Sequence, residues 1–395
     1  MDYSHIYLGK IVTMTTGSKD VNEGNTNGIF PFFTCSRNHT YSNSYSFDDE
    51  ALLISGNGDV GNVKYYKGKF EAYQRTYVLT NSVLDFKYLY YYLENGLVKH
   101  LSSEQSGTTI QFIKLGQLKN FPIVFPYQLE HQKKIAEILT KIDEAIENTE
   151  QLIQKYEQVK VGLIQDLLTK GIDENGNIRS EETHQFKDSP LGRIPVEWNC
   201  DTLGSIYKMK SGITPSRAEK SYFDDNGTNW VKTLDLNENR LFSTEEKISK
   251  KAIKFTSISV LPIDSILIAM YGGWEQIGRT SILGVPSATN QAITALFDPN
   301  IQLESEYTMF ALQMNRWRWK QFAVSTRKDP NITKKDISNF TIAFPISEKE
   351  QLNIISKIDS VNKYIANKKS NLYKLLNQKQ GLMQDLLSGK VRVNY

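Results

Sequence analysis

The nine residues GLIQDLLTK at 162–170 recur as GLMQDLLSG at 381–389, a shift of 219 positions, and this repeat constrains the 395-residue chain more than any other feature. At the same shift FPIVFP (121–126) falls on FTIAFP (340–345), Gln132 on Gln351, Ile135 on Ile354, Ile146 on Ile365 and Lys160 on Lys379. Roughly a third of about fifty ungapped positions are identical, which marks a duplication. A second pair of anchors, LGKIVTMTTG (8–17) and LGSIYKMKSG (203–212), lies at a shift of 195. Between the anchors the copies diverge by 24 residues in length and almost wholly in sequence. Each copy is therefore a constant start, a variable body and a constant end.

The constant ends read as long helices, because no proline occurs between Pro126 and Pro190 or after Pro345 and the apolar spacing alternates threes and fours. One seam runs Ile135, Leu139, Ile142, Ile146, Thr149, Ile153, Tyr156, Lys160, Leu163, Leu167. The other runs Ile354, Ile358, Val361, Ile365, Lys368, Leu372, Leu375, Lys379, Leu382, Leu386. Sustained over about five heptads, this is a coiled-coil pattern, and its polar interruptions at matching steps fix register at some cost in stability. Helices of about 43 residues would each be roughly 64 Å long. Two such stripes are buried most economically against each other, and antiparallel packing gives the duplicated chain an approximate two-fold axis. The alternative is that each helix seals only its own body.

These readings divide the chain into a body at 1–126, a helix at 127–170, a linker at 171–190, a second body at 191–346, a second helix at 347–389 and a tail at 390–395. The stretch Asp173 to Ser189 is polar and acidic, which suggests an exposed linker. The net charge of +3 is too mild to name a partner. Cys35 and Cys200 stand far apart and the five histidines form no H-x-x-x-H pair, so neither a disulfide framework nor a metal site is expected. No apolar run is long enough to span a membrane and no signal peptide opens the chain, so a cytoplasmic protein is expected.

Both bodies read as mixed α/β (α+β). Strand-like runs are ALLISG (51–56) and RTYVLT (75–80) in the first, SILIAMYGG (265–273) and QAITALF (291–297) in the second. Each is followed by a helical segment, FKYLYYYLEN (86–95) and SEYTMFALQMNRW (305–317). Loops rich in Gly, Asn, Tyr and Lys sit in matching places, SGNGDVGNVKYYKGKF (55–70) and MYGGWEQIGR (270–279). Glycine permits close backbone approach, while amides, rings and cations supply base-edge hydrogen bonds, stacking and phosphate contacts. Candidate DNA-binding residues on this reasoning are Asn57, Lys64, Lys67, Lys69, Arg75, Tyr271, Trp274, Gln276, Arg279, Asn290 and Gln291. The same residues also suit hairpin turns, caps and tyrosine-filled cores. The cations of RWRWK (316–320) suit either phosphate contact or the helix dipole.

No catalytic residues are expected. The chain has no G-x-x-x-x-G-K-[ST] phosphate loop, no Pro-Pro dipeptide of the kind amino-methyltransferases use to hold a base, no acid-acid-lysine nuclease cluster and no G-x-S-x-G elbow. Two similar bodies, a long spacer and no catalytic motif describe a binding ruler.

F-P-I-x-x-P followed by E-x-Q or E-Q, the I-x-x-x-L/I-x-x-I/V-D/N heptad helix and its G-L-x-Q-x-L-L ending together resemble the conserved regions of type I restriction-modification specificity subunits. LGRIPVEWNCDTLGSI (191–206) also resembles the opening of a target recognition domain in that family. The resemblance spans essentially the whole chain. It implies two target recognition domains that each read one half of a bipartite, asymmetric site in double-stranded DNA, with an antiparallel helix pair setting the spacing. It further implies two modification (methyltransferase) subunits docked on the helices, and restriction subunits that translocate and cleave, in a bacterial or archaeal cell. On this reading the chain itself holds no cofactor, and S-adenosylmethionine, ATP and Mg belong to its partners.

Gln165, Asp166, Gln384 and Asp385 fall off the seam and are the candidate docking corner, offered once per modification subunit. Gly162 and Gly381 each cost a helix about 1 kcal/mol against Ala, for which close approach of another backbone would be a reason. Two departures from the family pattern stand out. The first copy has only seven residues before Leu8, so its body is either trimmed or completed by another part such as the C-terminal tail; and His131 stands where the second copy has Glu350. A different class remains open, a coiled-coil scaffold that does not touch DNA.

Overall fold

Both proline-free runs are single helices, Leu129–Thr169 and Glu348–Leu387, in the computed structural model, which describes residues 3–103, 112–323 and 330–393. The chain divides into two compact units, residues 1–153 with 367–395, and residues 154–366. Each unit thus holds one body, the N-terminal part of that body's own helix and the C-terminal part of the other long helix.

In the first unit a six-stranded sheet has the order Thr13–Thr16, Thr76–Thr80, Phe47–Ser55, Val63–Ala72, Phe30–Phe33, Thr40–Ser42. Neighbours are antiparallel except Phe30–Phe33, which joins Val63–Ala72 in parallel. The continuous apolar run ALLI has a simple cause: the sheet is covered on both faces. Leu52 and Ile54 pack with Leu89, Leu93 and Leu97 of the helix Phe86–Ser103, while Ala51 and Leu53 pack with Phe33, Phe70 and Val78. Tyr3–Tyr7 pairs separately with Pro122–Pro126.

The second unit repeats the plan. Its five-stranded sheet runs Lys208–Ser211, Ile293–Phe297, Ile266–Ala269, Thr280–Leu283, Arg240–Leu241, the last again parallel to its neighbour. Ile266 and Ile268 face the helix side and Leu267 and Ala269 the other core. A three-stranded sheet of Lys247–Ile248, Phe223–Val231 and Ala288–Thr289 is an addition of this copy. Trp198–Thr202 pairs with Thr341–Pro345 as Tyr3–Tyr7 does with its partner.

Within each unit the long-helix segments run antiparallel. In the first, Ile135 and Leu139 share a core with Met383, Leu386 and Leu387, and Asp143 meets Lys379 at 2.9 Å. In the second, Leu167 and Leu168 pack with Ile354 and Ile358, and the rings of Tyr156 and Tyr364 lie 4.3 Å apart. The apolar seam positions face inward: Ile135, Leu139, Ile142, Ile146, Ile153, Leu167, Ile354, Ile358, Ile365 and Leu386 are buried, and Leu163, Val361, Leu372, Leu375 and Leu382 are half-buried.

The bodies are bolted to their helices by the same bonds in both copies. Gln132 Nε2 donates to Pro126 O at 2.9 Å while its Oε1 accepts from Asp85 N–H at 2.9 Å. Gln351 does the same with Pro345 O at 2.9 Å and Glu304 N–H at 2.8 Å. Tyr88 and Tyr307 each donate to a strand carbonyl, Val124 O and Ala343 O, at 3.1 Å.

Two expectations are overturned. Gly162 and Gly381 have open space where a Cβ would be, so among the described residues no other backbone approaches them. The 171–190 stretch is not a free, exposed linker: Ile172 is buried, Arg179 is 7% exposed, and Phe186–Ser189 forms a hairpin with Gly192–Pro195. Arg179 donates to both oxygens of Glu350, at 2.5 and 3.0 Å, and that carboxylate also accepts from Trp198 Nε1 at 3.0 Å and Ile172 N–H at 3.1 Å. The first body is completed by the end of the chain: Val393 joins its core with Tyr88 and Tyr91, and Gly389 lies against the ring of Tyr3. Of the tail, residues 394 and 395 lie outside the described residues.

Candidate nucleic-acid interface

Antiparallel strands put alternate strand ends on one edge of a sheet, and that edge gathers candidates that are distant in sequence. In the second unit, Lys208–Ser211 and Ile266–Ala269 end there, while Thr280–Leu283 and Ile293–Phe297 begin there. Tyr271, Trp274, Gln276 and Arg279 lie on the hairpin loop, and Asn290 and Gln291 immediately precede the last strand. Thr214, which sequence reasoning did not single out, joins them through its hydroxyl hydrogen bond to Gln291. Its only signal was its place just beyond the repeated anchor.

The loop is held rigidly from below. Arg316 donates Nε to Ile277 O at 3.0 Å and Nη2 to Glu275 O at 2.5 Å, and pairs with Glu238 at 3.1 Å. Burial lowers the pKa of Arg316, opposed by the charge of Glu238. Arg318 is likewise half-buried, stacked on Phe340 and donating to Thr341 O. Arg279 Nη1 donates to Gln276 Oε1 at 3.1 Å. Gly272, Gly273 and Gly278 all have positive φ, and at Gly278 a Cβ would lie 2.2 Å from the Trp319 ring. Tyr271 and Trp274 are left exposed, and Lys320 Nζ sits 5.9 Å over the Trp274 ring. Asn290 is used locally, its Oδ1 accepting from Ala292 N–H at 3.1 Å, which is the turn role open to it from the start.

In the first unit the corresponding edge carries Asn57, Lys64 and Arg75, drawn together because Gly56 N–H bonds to Arg75 O at 3.0 Å and Ile54 pairs with Val63. Lys67 and Lys69 are not in this group. They stand opposite Glu50 and Asp48, which puts Lys69 about 20 Å along the strand from Val63. Lys67 pairs with Glu50 at 3.2 Å and Lys69 lies 4.7 Å over the Tyr45 ring. Lys64 turns inward to donate to Ser36 O at 2.5 Å, and burial lowers its pKa. The chemistry left at this edge is the half-buried amide of Asn57, the exposed guanidinium of Arg75 and the exposed ring of Phe112, which bridges to Asn57 and has Lys114 Nζ 6.0 Å over it.

On the helices, Gln165 and Gln384 are exposed, while Asp166 pairs with Lys170 at 2.7 Å and Asp385 with Lys390 at 3.6 Å. Among the described residues no group of three or more His, Cys, Asp or Glu is placed to hold a metal ion, and no helix is long and apolar enough to cross a membrane.

A duplicated sheet-and-helix body with a variable edge, bolted twice to a long helix, defines a two-module recognition protein. The family model for the type I restriction modification DNA specificity domain matches residues 2–158 and again 195–378, and the chain belongs to that family. Its members are specificity subunits of type I restriction enzymes, not the catalytic chains. The EcoDI specificity subunit of Escherichia coli is 25% identical over 414 aligned positions, covering 99% of this chain and 88% of its own. The MjaVIII specificity subunit of Methanocaldococcus jannaschii is 25% identical, covering 88% and 80%. Among solved structures, the S subunit from M. genitalium superposes with a TM-score of 0.62 at 17% identity, covering 98% of this chain and 96% of its own. The HsdS subunit from Thermoanaerobacter tengcongensis gives 0.50 at 14% identity, covering 98% and 97%.

Proposed function

We propose that this chain is the DNA sequence-specificity subunit of a type I restriction-modification complex. Its recognition domains, 1–126 and 191–346, each read one half of a bipartite, asymmetric double-stranded site. The helices at 127–170 and 347–389 set the spacing and dock two modification subunits, with Gln165, Asp166, Gln384 and Asp385 as the docking corners. Methyl transfer from S-adenosylmethionine belongs to the modification subunits, and ATP- and Mg-dependent translocation and cleavage to restriction subunits, in the cytoplasm of a bacterial or archaeal cell.

The observation that carries this reading is that one frame, four strands in the same order with the same glutamine bolt, presents chemically different residues at the same edge in its two copies. A scaffold has no use for that difference. A reader of two unlike half-sequences requires it, since base contacts specify while phosphate contacts position.

The test is a methylation map of cells carrying the complex with residues 56–62 exchanged for another sequence. One half-sequence should change, with the other half and the spacer intact. A change in both halves, or in neither, refutes the assignment. Inserting one helical turn into both long helices should alter the spacer alone.

A further inference from the structure

The hairpin loop of the second unit leaves a cleft of about 230 Å³ beside it, walled by Trp274, Ile277, Arg316, Trp317, Trp319 and Lys320. Arg316 is spent on loop carbonyls, as described, and cannot serve a ligand without releasing the loop. Three features remain unspent. Trp274 is 49% exposed, an aromatic face on a loop otherwise pinned by glycine turns and hydrogen bonds. Lys320 has no acidic partner among the described residues and sits over that ring, its charge on the rim. The indole N–H of Trp319, 1% exposed, has no hydrogen-bond partner among the described residues and lies against Gly278 at the base of the loop.

We infer that Trp274 and Lys320 form a clamp for one nucleotide of DNA, the indole stacking on an unstacked base and the ammonium holding the adjoining phosphate. This rests on the DNA-reading function proposed above and names the residues that grip the second half-site. An exposed ring costs little to present and every base has a π-face to meet it. A cation above the ring suits the phosphate that accompanies a base. In the first copy the equivalent tip is Asn57, Gly58, Asp59 and Val60, and there the exposed ring is Phe112, bridged to Asn57 and with Lys114 Nζ 6.0 Å over it, so its aromatic comes from a different segment of the chain.

The experiment uses the chain assembled with its modification subunits and a 40-base-pair duplex, on the order of four helical turns, carrying the methylated site mapped for that complex. W274A should bind it about 5- to 150-fold more weakly, with W274F close to wild type. K320Q should lower the slope of log affinity against log salt by about 1, which W274A leaves unchanged. 2-Aminopurine placed along the second half-site should brighten at one position with the wild type and not with W274A. Circular dichroism melts establish that each variant is folded. W274A binding as tightly as wild type, or K320Q keeping the full salt slope, overturns the clamp; a wild-type complex that binds no duplex overturns the DNA-reading function itself.

Discussion

The second copy closes the end of a long helix with a buried ion pair, and the first copy closes the equivalent corner with a ring. In the second unit Gly171, at φ +65°, lies against Trp198 and the Arg179–Glu350 pair, leaving no room for a Cβ. In the first, Gly389, at φ +74°, lies against Tyr3, the counterpart of Trp198 at the 195 shift. Burial raises the pKa of Tyr3, and its buried hydroxyl has no hydrogen-bond partner among the described residues. His131 replaces Glu350 and is also buried. What both corners share is a left-handed glycine over the first aromatic residue of the body. The charge is an addition of one copy, so the closure itself is steric, and the ion pair makes it costly to undo.

The largest test of that contrast is Glu350→Ala. Removing the carboxylate strands the buried Arg179 cation and two N–H donors, and should destabilise the second unit by about 3–5 kcal/mol. His131→Ala should cost about 1 kcal/mol, the middle of the range for ordinary substitutions. Urea unfolding followed by fluorescence measures both, and equal losses would break the comparison.

Where the copies agree, the losses should agree. Gln132→Ala leaves one backbone N–H and one carbonyl unanswered, and Gln351→Ala one N–H and two carbonyls, Gln302 O at 3.2 Å being the second, for about 1–3 kcal/mol apiece. A large inequality would mean that the shared bond pattern is not a shared energetic unit.

These contrasts separate what was legible in sequence from what was not. The seam was legible because its residues recur at helical spacing, and nearly every residue of it proved to face inward. The body strands were legible as apolar runs, but not their order, since pairing joins Thr13–Thr16 to Thr76–Thr80 across some sixty intervening residues. Arg179 could not be read at all: it sits in a polar stretch and its partner lies 171 positions away. Lys64, Lys67 and Lys69 look alike in sequence, yet one points at a backbone carbonyl, one at a glutamate and one at a ring, because side-chain direction and cross-strand neighbours decide their use.

The polar seam positions sharpen the comparison further. Lys379 is held by Asp143 at 2.9 Å and Glu94 at 3.3 Å and lies over the Tyr91 ring. Burial opposes its charge, but the hydrogen bond it donates to Asp143 and the two carboxylate charges prevail, and its pKa is raised. At the 219 shift those acids become Asn362 and Gln313, so Lys160 faces no equivalent pair. Lys379→Met should cost about 1 kcal/mol, while Lys160→Met should be neutral or stabilising. The sign of the pH effect follows. With a folded pKa above the unfolded value, the Lys379 contribution is complete below about pH 10.4 and is lost as pH rises through the raised pKa. Unfolding curves of wild type and Lys379→Met should therefore differ at pH 8 and converge in strong alkali.

The smallest expected effect concerns the two glycines of the repeated nonapeptide. Each lies inside a helix where, among the described residues, a Cβ would meet no atom within 4 Å beyond its own helix backbone and chain neighbours. Adding a methyl group there meets nothing, restricts the unfolded chain and improves helix propensity, so Gly162→Ala and Gly381→Ala should each stabilise by about 0.4–1 kcal/mol. Thermal melts of the chain alone measure this, and equal gains are expected because the two sites are alike. Destabilisation at either site would mean that the methyl group does meet something within the chain. If instead both substitutions stabilise the chain alone but weaken assembly with the modification subunits, the close approach needed at these glycines comes from the partner. Gln165 and Gln384, three residues further along each helix, would then mark where that partner lies.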